Sequence, residues 1–452
     1  MNISRRSFLH TSLAPLAFSG LRRYVEAQPT QAASRAGYGP LKADPNRILD
    51  LPAGFQYRVI SRTGETMSDG LRVPGAHDGM AAFAGPRGST ILVRNHELSV
   101  DSFSESPFGE KNELLSVWSP ENLYDAAPGL GGTTTLIYDT RRHVLEKHYL
   151  SLAGTIRNCG GGPTPWGSWI SCEETTQLAD DVHRKMHGFN FEVPARMQRM
   201  VEPLPLNSMG RFSHEAIAVD PATGIVYQTE DRGDGLIYRF VPQRRGQLAA
   251  GGRLQGLKIS ELPGVDTSNS KEQSIPVSQR FNVQWIDLHD VESPDDSLRK
   301  QGAEAGAGRF SRGEGMWAGH GVIYFACSNG GHARAGQIWK YIPSRFEGTS
   351  REGERPGSLE LFIEPNDSML MENVDNITIA PWGDIIVCED GPEANRVLGV
   401  TPAGVLFEFA NNAMNTSELA GATFSPDGTT LFVNIQDPGL TLAITGPWRV
   451  GS

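Results

Sequence analysis

The chain has 452 residues and a formal net charge of −11, from 41 lysines and arginines against 52 aspartates and glutamates. Its hydrophobic fraction of 38% is too high for a disordered chain and too low for a protein with many membrane-spanning helices. The acidic surplus argues against a nucleic-acid binder, because binding phosphates requires a clustered basic surface. The 51 glycines and 29 prolines exceed ordinary usage, which predicts many turns and therefore many short strands.

The first residues have the features of an export signal. Arg5 and Arg6 precede an apolar stretch over 8–21, a pattern typical of twin-arginine signals, and this stretch is too short to span a bilayer. An ordinary basic N-terminal region is the alternative. We expect a signal peptide over 1–27, cleaved near Ala27, that engages the twin-arginine translocase. The mature protein would be periplasmic or secreted, without stable membrane insertion.

Six segments of the chain share one local pattern: two short apolar strands joined by a Gly, Pro or Asp turn, with polar or acidic residues near both ends. These segments are 77–97, 158–174, 213–231, 312–328, 374–390 and 420–437. Each is typical of a β-hairpin, and further strand candidates lie between them. A pair of β-sandwiches is the alternative, but it does not explain why one motif occurs six times.

The repetition predicts an all-β fold, a six-bladed β-propeller with loop insertions and a central metal-binding channel. We expect residues 28–452 to form this single domain, with its first and last segments closing the ring. The stretch 243–308 is rich in glycine and charge, and it predicts an insertion or flap. We also expect the protein to be a monomer.

The innermost strands of a propeller line its channel, so equivalent residues of successive repeats converge there. The residues that open the repeats are Asp78, Cys159, Glu215, Glu314, Asp375 and Asn376. The acidic residues that close them are Glu97, Glu173, Glu174, Glu230, Asp231, Glu389, Asp390 and Asp437. Packed carboxylates raise one another's pKa unless cations lie among them, and oxygen ligands favour calcium, magnesium, manganese or ferric iron.

Cysteine, histidine and arginine each allow two interpretations. Cys159, in the flexible N-C-G-G-G segment, is either structural or a soft ligand that favours a transition metal. Arg312 either neutralises acidic neighbours or binds a phosphate through two parallel hydrogen bonds. Other residues are more often structural, as small buried hydrophobes or hydrogen-bonded imidazoles. These residues are Cys172, Cys327, Cys388, His96 and His214.

Six motifs resemble those of the PhoX-type alkaline phosphatases. They are N-C-G-G-G-P-T-P-W-G-S-W-I-S-C-E-E (158–174), G-R-F-S-H-E-A (210–216), V-R-N-H-E (93–97), R-G-E-G (312–315), D-N-I (375–377) and T-F-S-P-D-G-T-T-L-F-V-N-I-Q (423–436). The resemblance extends from about residue 45 to the C-terminus. It implies a twin-arginine-exported bacterial protein that hydrolyses phosphomonoesters. It also implies a six-bladed propeller whose channel holds a pair of ferric ions, Fe(3+), and several calcium ions, Ca(2+).

The resemblance also implies roles for individual residues. By motif, the metal ligands of the family match Cys159, Glu174, Glu215 and Glu314, and its phosphate-contacting arginine matches Arg312. We therefore predict Arg312 and Glu314 as catalytic residues acting on a small-molecule phosphomonoester. Two other classes of protein remain as alternatives. One is a calcium-dependent lactonase or diesterase on a six-bladed propeller, and the other is a periplasmic binding propeller without enzymatic activity.

Overall fold

The computed structural model describes residues 36–115, 122–125, 130–393 and 395–449, so the predicted signal peptide lies outside the described residues. Strands predominate in the described part of the chain. The helical elements there are the α-helix α1 (Leu298–Glu304) and the 3-10 helices Pro86–Gly88, Phe103–Glu105, Asn207–Met209, Leu248–Ala250 and Glu352–Glu354. Within these residues, no helix combines the length and the apolar character needed to cross a membrane.

The strands form six successive antiparallel groups, which we call blades 1 to 6. Three strands precede them: β1 (Leu41–Lys42), β2 (Leu49–Pro52) and β3 (Gln56–Arg62). Blade 1 contains β4 (His77–Ala84), β5 (Thr90–His96), β6 (Gly131–Asp139) and β7 (Val144–Thr155). Blade 2 contains β8 (Asn158–Pro163), β9 (Ser168–Glu173) and β10 (Asn190–Pro194). Blade 3 contains β11 (His214–Val219), β12 (Val226–Glu230), β13 (Ile237–Pro242) and β14 (Gly252–Ile259).

The second half of the chain repeats this plan after the additional strand β15 (Arg280–Asp287). Blade 4 contains β16 (Gly313–Gly319), β17 (Val322–Cys327), β18 (Gln337–Ile342) and β19 (Ser358–Ile363). Blade 5 contains β20 (Val374–Ile379), β21 (Ile385–Glu389), β22 (Arg396–Val400) and β23 (Leu406–Asn412). Blade 6 contains β24 (Leu419–Phe424), β25 (Thr430–Ile435) and β26 (Leu440–Thr445).

The first strands of the six blades form a closed ring. Each of β4, β8, β11, β16 and β20 contacts the first strand of the next blade, and β24 contacts β4. The ring is closed by β3, which pairs with β26 from Gln56 opposite Thr445 to Arg62 opposite Leu440. The structure thus confirms the predicted all-β, six-bladed propeller and the joining of its first and last segments.

The hydrogen-bonded sheets differ in number from the blades. There are five sheets among the described residues rather than six, because β15 pairs with β14 of blade 3 and with β19 of blade 4. Arg280 of β15 lies opposite Glu360 of β19. The stretch 243–308 therefore contains the outer strand of blade 3, the connecting strand β15 and the helix α1. Its role as a flap stays a prediction.

Packing between blades explains why three consecutive residues of the second strand of blade 1, Ile91, Leu92 and Val93, are apolar and buried. Leu92 packs with Tyr138 and Phe432, at the contact between blades 1 and 6. The next residue, Val93, belongs to the cluster that includes Trp169 of blade 2. Successive residues of a strand point to opposite faces, so a sheet covered on both faces needs apolar residues at consecutive positions.

Candidate metal centre

One position in each blade supplies the residues that converge at the channel. It is the second residue of the first strand: Asp78, Cys159, Glu215, Glu314, Asp375 and, in blade 6, Ala420. In five blades the pairing of the first and second strands shifts register across this residue, and in blade 6 the shift begins directly after Ala420. Such bulges turn a side chain away from the regular sheet direction and are common beside active sites.

In blades 1, 2, 4 and 6 the residue after this position is glycine, which allows the inner strands to approach closely. A Cβ on Gly315 would lie 2.5 Å from the backbone oxygen of Asp375 in blade 5. A Cβ on Gly79 would lie 2.7 Å from the backbone oxygen of Cys159 in blade 2. Neither separation is compatible with a side chain, so glycine here permits the narrow ring that brings the channel residues together.

Two further positions repeat around the channel. The residue after the second strand donates its backbone N–H to the carbonyl of the residue before the first strand, at 2.9–3.3 Å in every blade. The donors are Glu97, Glu174, Asp231, Ser328, Asp390 and Gln436, and the corresponding acceptors are Ala76, Arg157, Ser213, Arg312, Asn373 and Glu418. This backbone bond places both side chains at the same end of the channel in all six blades.

Three clusters of side chains could each hold a cation, and each has its ligand atoms within 4.8 Å of one another. We call them the thiol cluster, the shared cluster and the distal cluster. The thiol cluster consists of Cys159, Glu174 and Glu215. The shared cluster consists of Glu215, Glu314 and Asp375, and the distal cluster of Asp78, Glu97 and Glu418. Glu215 belongs to the first two clusters, which are therefore neighbours. Each cluster combines residues from different blades, so the site depends on closure of the ring.

The carboxyl groups are strongly perturbed by this arrangement. Burial, followed by the charges of neighbouring carboxylates, raises the pKa of Asp78, Glu215, Glu314 and Glu418 well above the usual range. Burial and other acids raise the pKa of Asp375 to about 7, and that of Glu174 to about 8 despite Arg157. Burial and nearby carboxylates also raise the pKa of the Cys159 thiol. Bound cations would favour the charged forms of all these groups.

The structure separates the predicted ligands into three sets. Cys159, Glu174, Glu215, Glu314, Glu97 and Asp375 lie in the clusters. Asp231 and Asp390 lie beside them: the Asp231 carboxyl contributes to the raised pKa of Glu174, and the Asp390 carboxyl contributes to the raised pKa of Glu418. The remaining four predicted ligands have other partners. Glu173, Glu230 and Glu389 belong to none of the three clusters, and the amide oxygen of Asn376 accepts from a backbone N–H.

Hydrogen bonds elsewhere in the fold account for these four residues. Glu173 accepts from His187 Nδ1 at 2.6 Å, and Glu230 accepts from the Tyr238 hydroxyl at 2.8 Å. Glu389 pairs with Arg396 at 2.7 Å. Asn376 joins blades 5 and 6, because its Oδ1 accepts from the backbone N–H of Gly421 at 2.7 Å.

Glu173, Glu230 and Glu389 share one position in their blades. Each ends the second strand of its blade, one residue before the side chain that reaches the channel. Because side chains alternate along a strand, these glutamates point to the face opposite the channel residue. The sequence interpretation treated both members of each acidic pair as channel residues, and the structure assigns them to different environments.

The remaining cysteines and the two histidines have structural surroundings. Cys172, Cys327 and Cys388 are buried in three hydrophobic clusters. His96 Nδ1 lies 2.7 Å from the carbonyl of Gly75. His214 Nε2 lies 3.0 Å from the carbonyl of Gly210, and burial lowers the pKa of His214 to about 3.

Sequence reasoning missed Glu418 and Arg157 as site residues and left Asp78 out of the predicted ligands. Glu418 stands two residues before the last repeat as it is written, at the position that Arg157 and Arg312 occupy in blades 2 and 4. Aligning the six repeats on the residue before the first strand would have revealed it. Arg157 Nη2 lies 2.8 Å from Glu97 Oε1 and also contacts Glu174, which links the distal cluster to the thiol cluster.

Arg312 contacts other acids of the channel than Arg157 does. Its Nε lies 2.9 Å from Asp231 Oδ1, and its Nη2 lies 3.3 Å from Glu314 Oε1. The Ser328 hydroxyl donates to the same Glu314 oxygen at 2.5 Å. The Arg312 side chain remains 41% exposed, so this guanidinium is accessible to a ligand that enters the channel.

The fold and the site define a class: a six-bladed β-propeller whose channel combines carboxylates, one thiol and accessible arginines. The sequence model of the family described as alkaline phosphatase PhoX matches residues 36–439. The chain therefore belongs to the PhoX family of alkaline phosphatases, which confirms the predicted family. No sequence among the curated proteins matches the chain significantly.

Several solved structures are similar to this chain, and one of them, a PhoX structure, supports the fold. The structure of Pseudomonas fluorescens PhoX in complex with vanadate, a transition state analogue, is similar with a TM-score of 0.66 and 18% identity, covering 90% of this chain and 97% of that chain. A gluconolactonase from Xanthomonas campestris has a TM-score of 0.43 at 10% identity, over 90% and 98% of the two chains. A protein of unknown function from Dyadobacter fermentans has a TM-score of 0.46 at 9% identity, over 87% and 100%.

Proposed function

We propose that the protein hydrolyses phosphomonoesters with iron and calcium ions held in its channel. The observation that carries this proposal is the position of Arg312. This accessible guanidinium, two residues before Glu314, borders buried acidic clusters that require positive charge. An arginine beside cations suits a doubly charged phosphate, because it adds directed hydrogen bonds to their charge.

The ligand atoms of the clusters fit these ions. The thiol cluster, with Cys159, combines a soft ligand with carboxylates, which suits a transition metal such as ferric iron. Because the shared cluster also uses Glu215, ions in these two clusters would be neighbours, as a pair of ferric ions requires. The distal cluster offers oxygen ligands only, which suits calcium. When bound, such ions supply Lewis-acid stabilisation of phosphoryl oxygens.

The protein's own residues would position the substrate. Asp231 binds Arg312 Nε and Nη2 at 2.9 and 3.2 Å, which orients the guanidinium at the channel. Arg312 would then donate to terminal oxygens of the phosphoryl group and stabilise negative charge that develops there. Glu314, held by the Ser328 hydroxyl, would fix both the neighbouring guanidinium and a cation.

Chelation tests the proposal. Protein purified after folding in its host should hydrolyse p-nitrophenyl phosphate at alkaline pH. Prolonged treatment with a strong chelator should abolish this activity, and adding calcium and ferric ions together should restore more of it than calcium alone. Hydrolysis that persists after the metals are removed would contradict the proposal. Recovery with calcium alone would favour calcium-only chemistry.

We also propose export by the twin-arginine route to the periplasm or the medium, which the family resemblance and the Arg5-Arg6 pair support. Replacing both arginines with lysine keeps the positive charge and removes the motif. This double variant should accumulate as unprocessed protein in the cytoplasm, measured by fractionation. Normal export of the variant would indicate the general secretory route instead.

A further inference from the structure

Arg157 occupies the same position in blade 2 that Arg312 occupies in blade 4. Each residue immediately precedes the first strand of its blade, and each has a positive φ, 49° for Arg157 and 54° for Arg312. The Arg157 carbonyl accepts from the N–H of Glu174 at 2.9 Å, and the Arg312 carbonyl accepts from that of Ser328 at 3.0 Å. The propeller therefore presents two arginines at the same end of its channel.

The two guanidinium groups are held in similar ways. Arg157 donates from Nε to the backbone oxygen of Glu174 at 3.0 Å and from Nη2 to two carboxylates. Arg312 likewise uses Nε and Nη2 to bind carboxylates. In the described part of the chain, neither Nη1 group has a hydrogen-bond partner. Each arginine is thus oriented by one edge of its guanidinium and has further donors available.

Exposure distinguishes these arginines from those that lie beside Glu230 and Glu389, the buried glutamates that point away from the channel. The side chains of Arg157 and Arg312 are 42% and 41% exposed. Arg299, which lies near Glu230, and Arg396, which pairs with Glu389, are only 13% and 16% exposed. A residue that only neutralised buried acids would not need this access to solvent.

The two accessible arginines border the same group of acids. Arg157 contacts Glu174, and Arg312 contacts Glu314. Glu215 has ligand atoms within 4.8 Å of those of both glutamates, in the thiol cluster and in the shared cluster. Both guanidinium groups therefore border the acids grouped around Glu215. Cations bound to the carboxylates would compensate their charge and leave both guanidinium groups able to attract an anion.

We propose that Arg157 is a second substrate-binding residue, which contacts the phosphoryl group together with Arg312. This inference rests on the proposed phosphatase function and adds to it a role for a residue that the family motifs do not single out. A phosphoryl group has several terminal oxygens, so two guanidinium groups can donate to different ones. Arg157 would thereby strengthen binding of phosphate monoesters and of the product, inorganic phosphate.

Calorimetric titration with inorganic phosphate tests this role on the metal-loaded protein. Arg157→Gln should raise the Kd for phosphate by about ten- to a hundredfold, the range expected from losing hydrogen bonds between charged groups. Arg157→Lys keeps the charge and loses the fork of donors, so its Kd should lie between those of the wild type and Arg157→Gln. Arg299→Gln, which removes the same charge from a less exposed position, should leave the Kd unchanged.

Metal analysis of the same samples separates binding from a structural role. An unchanged phosphate Kd in Arg157→Gln at normal metal content would overturn the inference, as would loss of bound metal from that variant. If Arg157→Gln does not fold, Arg157→Lys decides, and a wild-type Kd in that variant would count against the role. Turnover of p-nitrophenyl phosphate by the wild type is measured in a separate assay. A wild type that binds phosphate through Arg157 without hydrolysing the ester contradicts the proposed function and not this inference.

Discussion

Three blades carry two consecutive acidic residues at the end of the second strand, yet the two members of each pair have different surroundings. The pairs are Glu173–Glu174, Glu230–Asp231 and Glu389–Asp390. The first member is buried and accepts hydrogen bonds from neutral or cationic groups on its own side of the sheet. The second member lies among other acids at the channel. Position along the strand, rather than residue type, therefore separates structural carboxylates from those able to bind metal.

The largest expected effect comes from the acid that two clusters share. Glu215→Gln keeps the shape of the side chain and removes one negative ligand from both the thiol cluster and the shared cluster. We expect phosphatase activity to fall about a thousandfold or more, because the ions supply most of the charge stabilisation of the transferred phosphoryl group. Activity and metal content of purified protein measure this. A variant with wild-type metal content and activity would show that the clusters do not bind the catalytic ions.

Metal-free protein should lose stability as the pH rises. The pKa values of Asp375 and Glu174 rise to about 7 and about 8 in the fold, whereas in the unfolded chain both groups ionise near their ordinary values of 3.8 and 4.5. Between these limits the folded protein binds more protons than the unfolded chain. Each group therefore lowers the free energy of unfolding by about 1.4 kcal/mol per pH unit.

Urea unfolding of chelated protein at about pH 5 and about pH 8 measures this difference. The midpoint should be lower at the higher pH, and added calcium should largely remove the difference because it binds the ionised carboxylates of the folded state. A midpoint that is independent of pH without metal would contradict the assignment of these acids to one compact cluster.

A smaller effect is expected from changing Glu173, which points away from the channel, and this effect concerns stability rather than activity. Glu173→Gln removes the charge that accepts from His187 and from the backbone N–H of Gly188 at 2.8 Å. Loss of such charge-assisted hydrogen bonds should lower the free energy of unfolding by about 2–3 kcal/mol. Metal content should remain that of the wild type. Loss of metal with little change in stability would place Glu173 functionally with Glu174.

The sequence alone predicts the ring because its six repeats each contain two apolar strands, and packing between blades requires such strands. It also predicts six members of the clusters, because Cys159, Glu215 and Glu314 hold the same position in their repeats. It does not separate Glu173 from Glu174, since alternation along a strand places the two side chains on opposite faces without indicating which face is turned to the channel. Pairing of β15 with two blades also has no local signal, because it depends on a contact between distant strands.

In the proposed function, cations lie among the acids that face the channel, and the Cys159 thiol makes one of these cations a transition metal. Elemental analysis and visible absorbance of protein folded in its host test this directly, with Cys159→Ser compared with Cys172→Ala. The wild type should contain iron and calcium and show an absorption band from thiolate bound to ferric iron. Cys159→Ser should lose that band and most of the activity, whereas Cys172→Ala should keep both and cost about 1 kcal/mol of stability. A colourless, iron-free wild type that is active, or a fully active Cys159→Ser variant, would contradict the account.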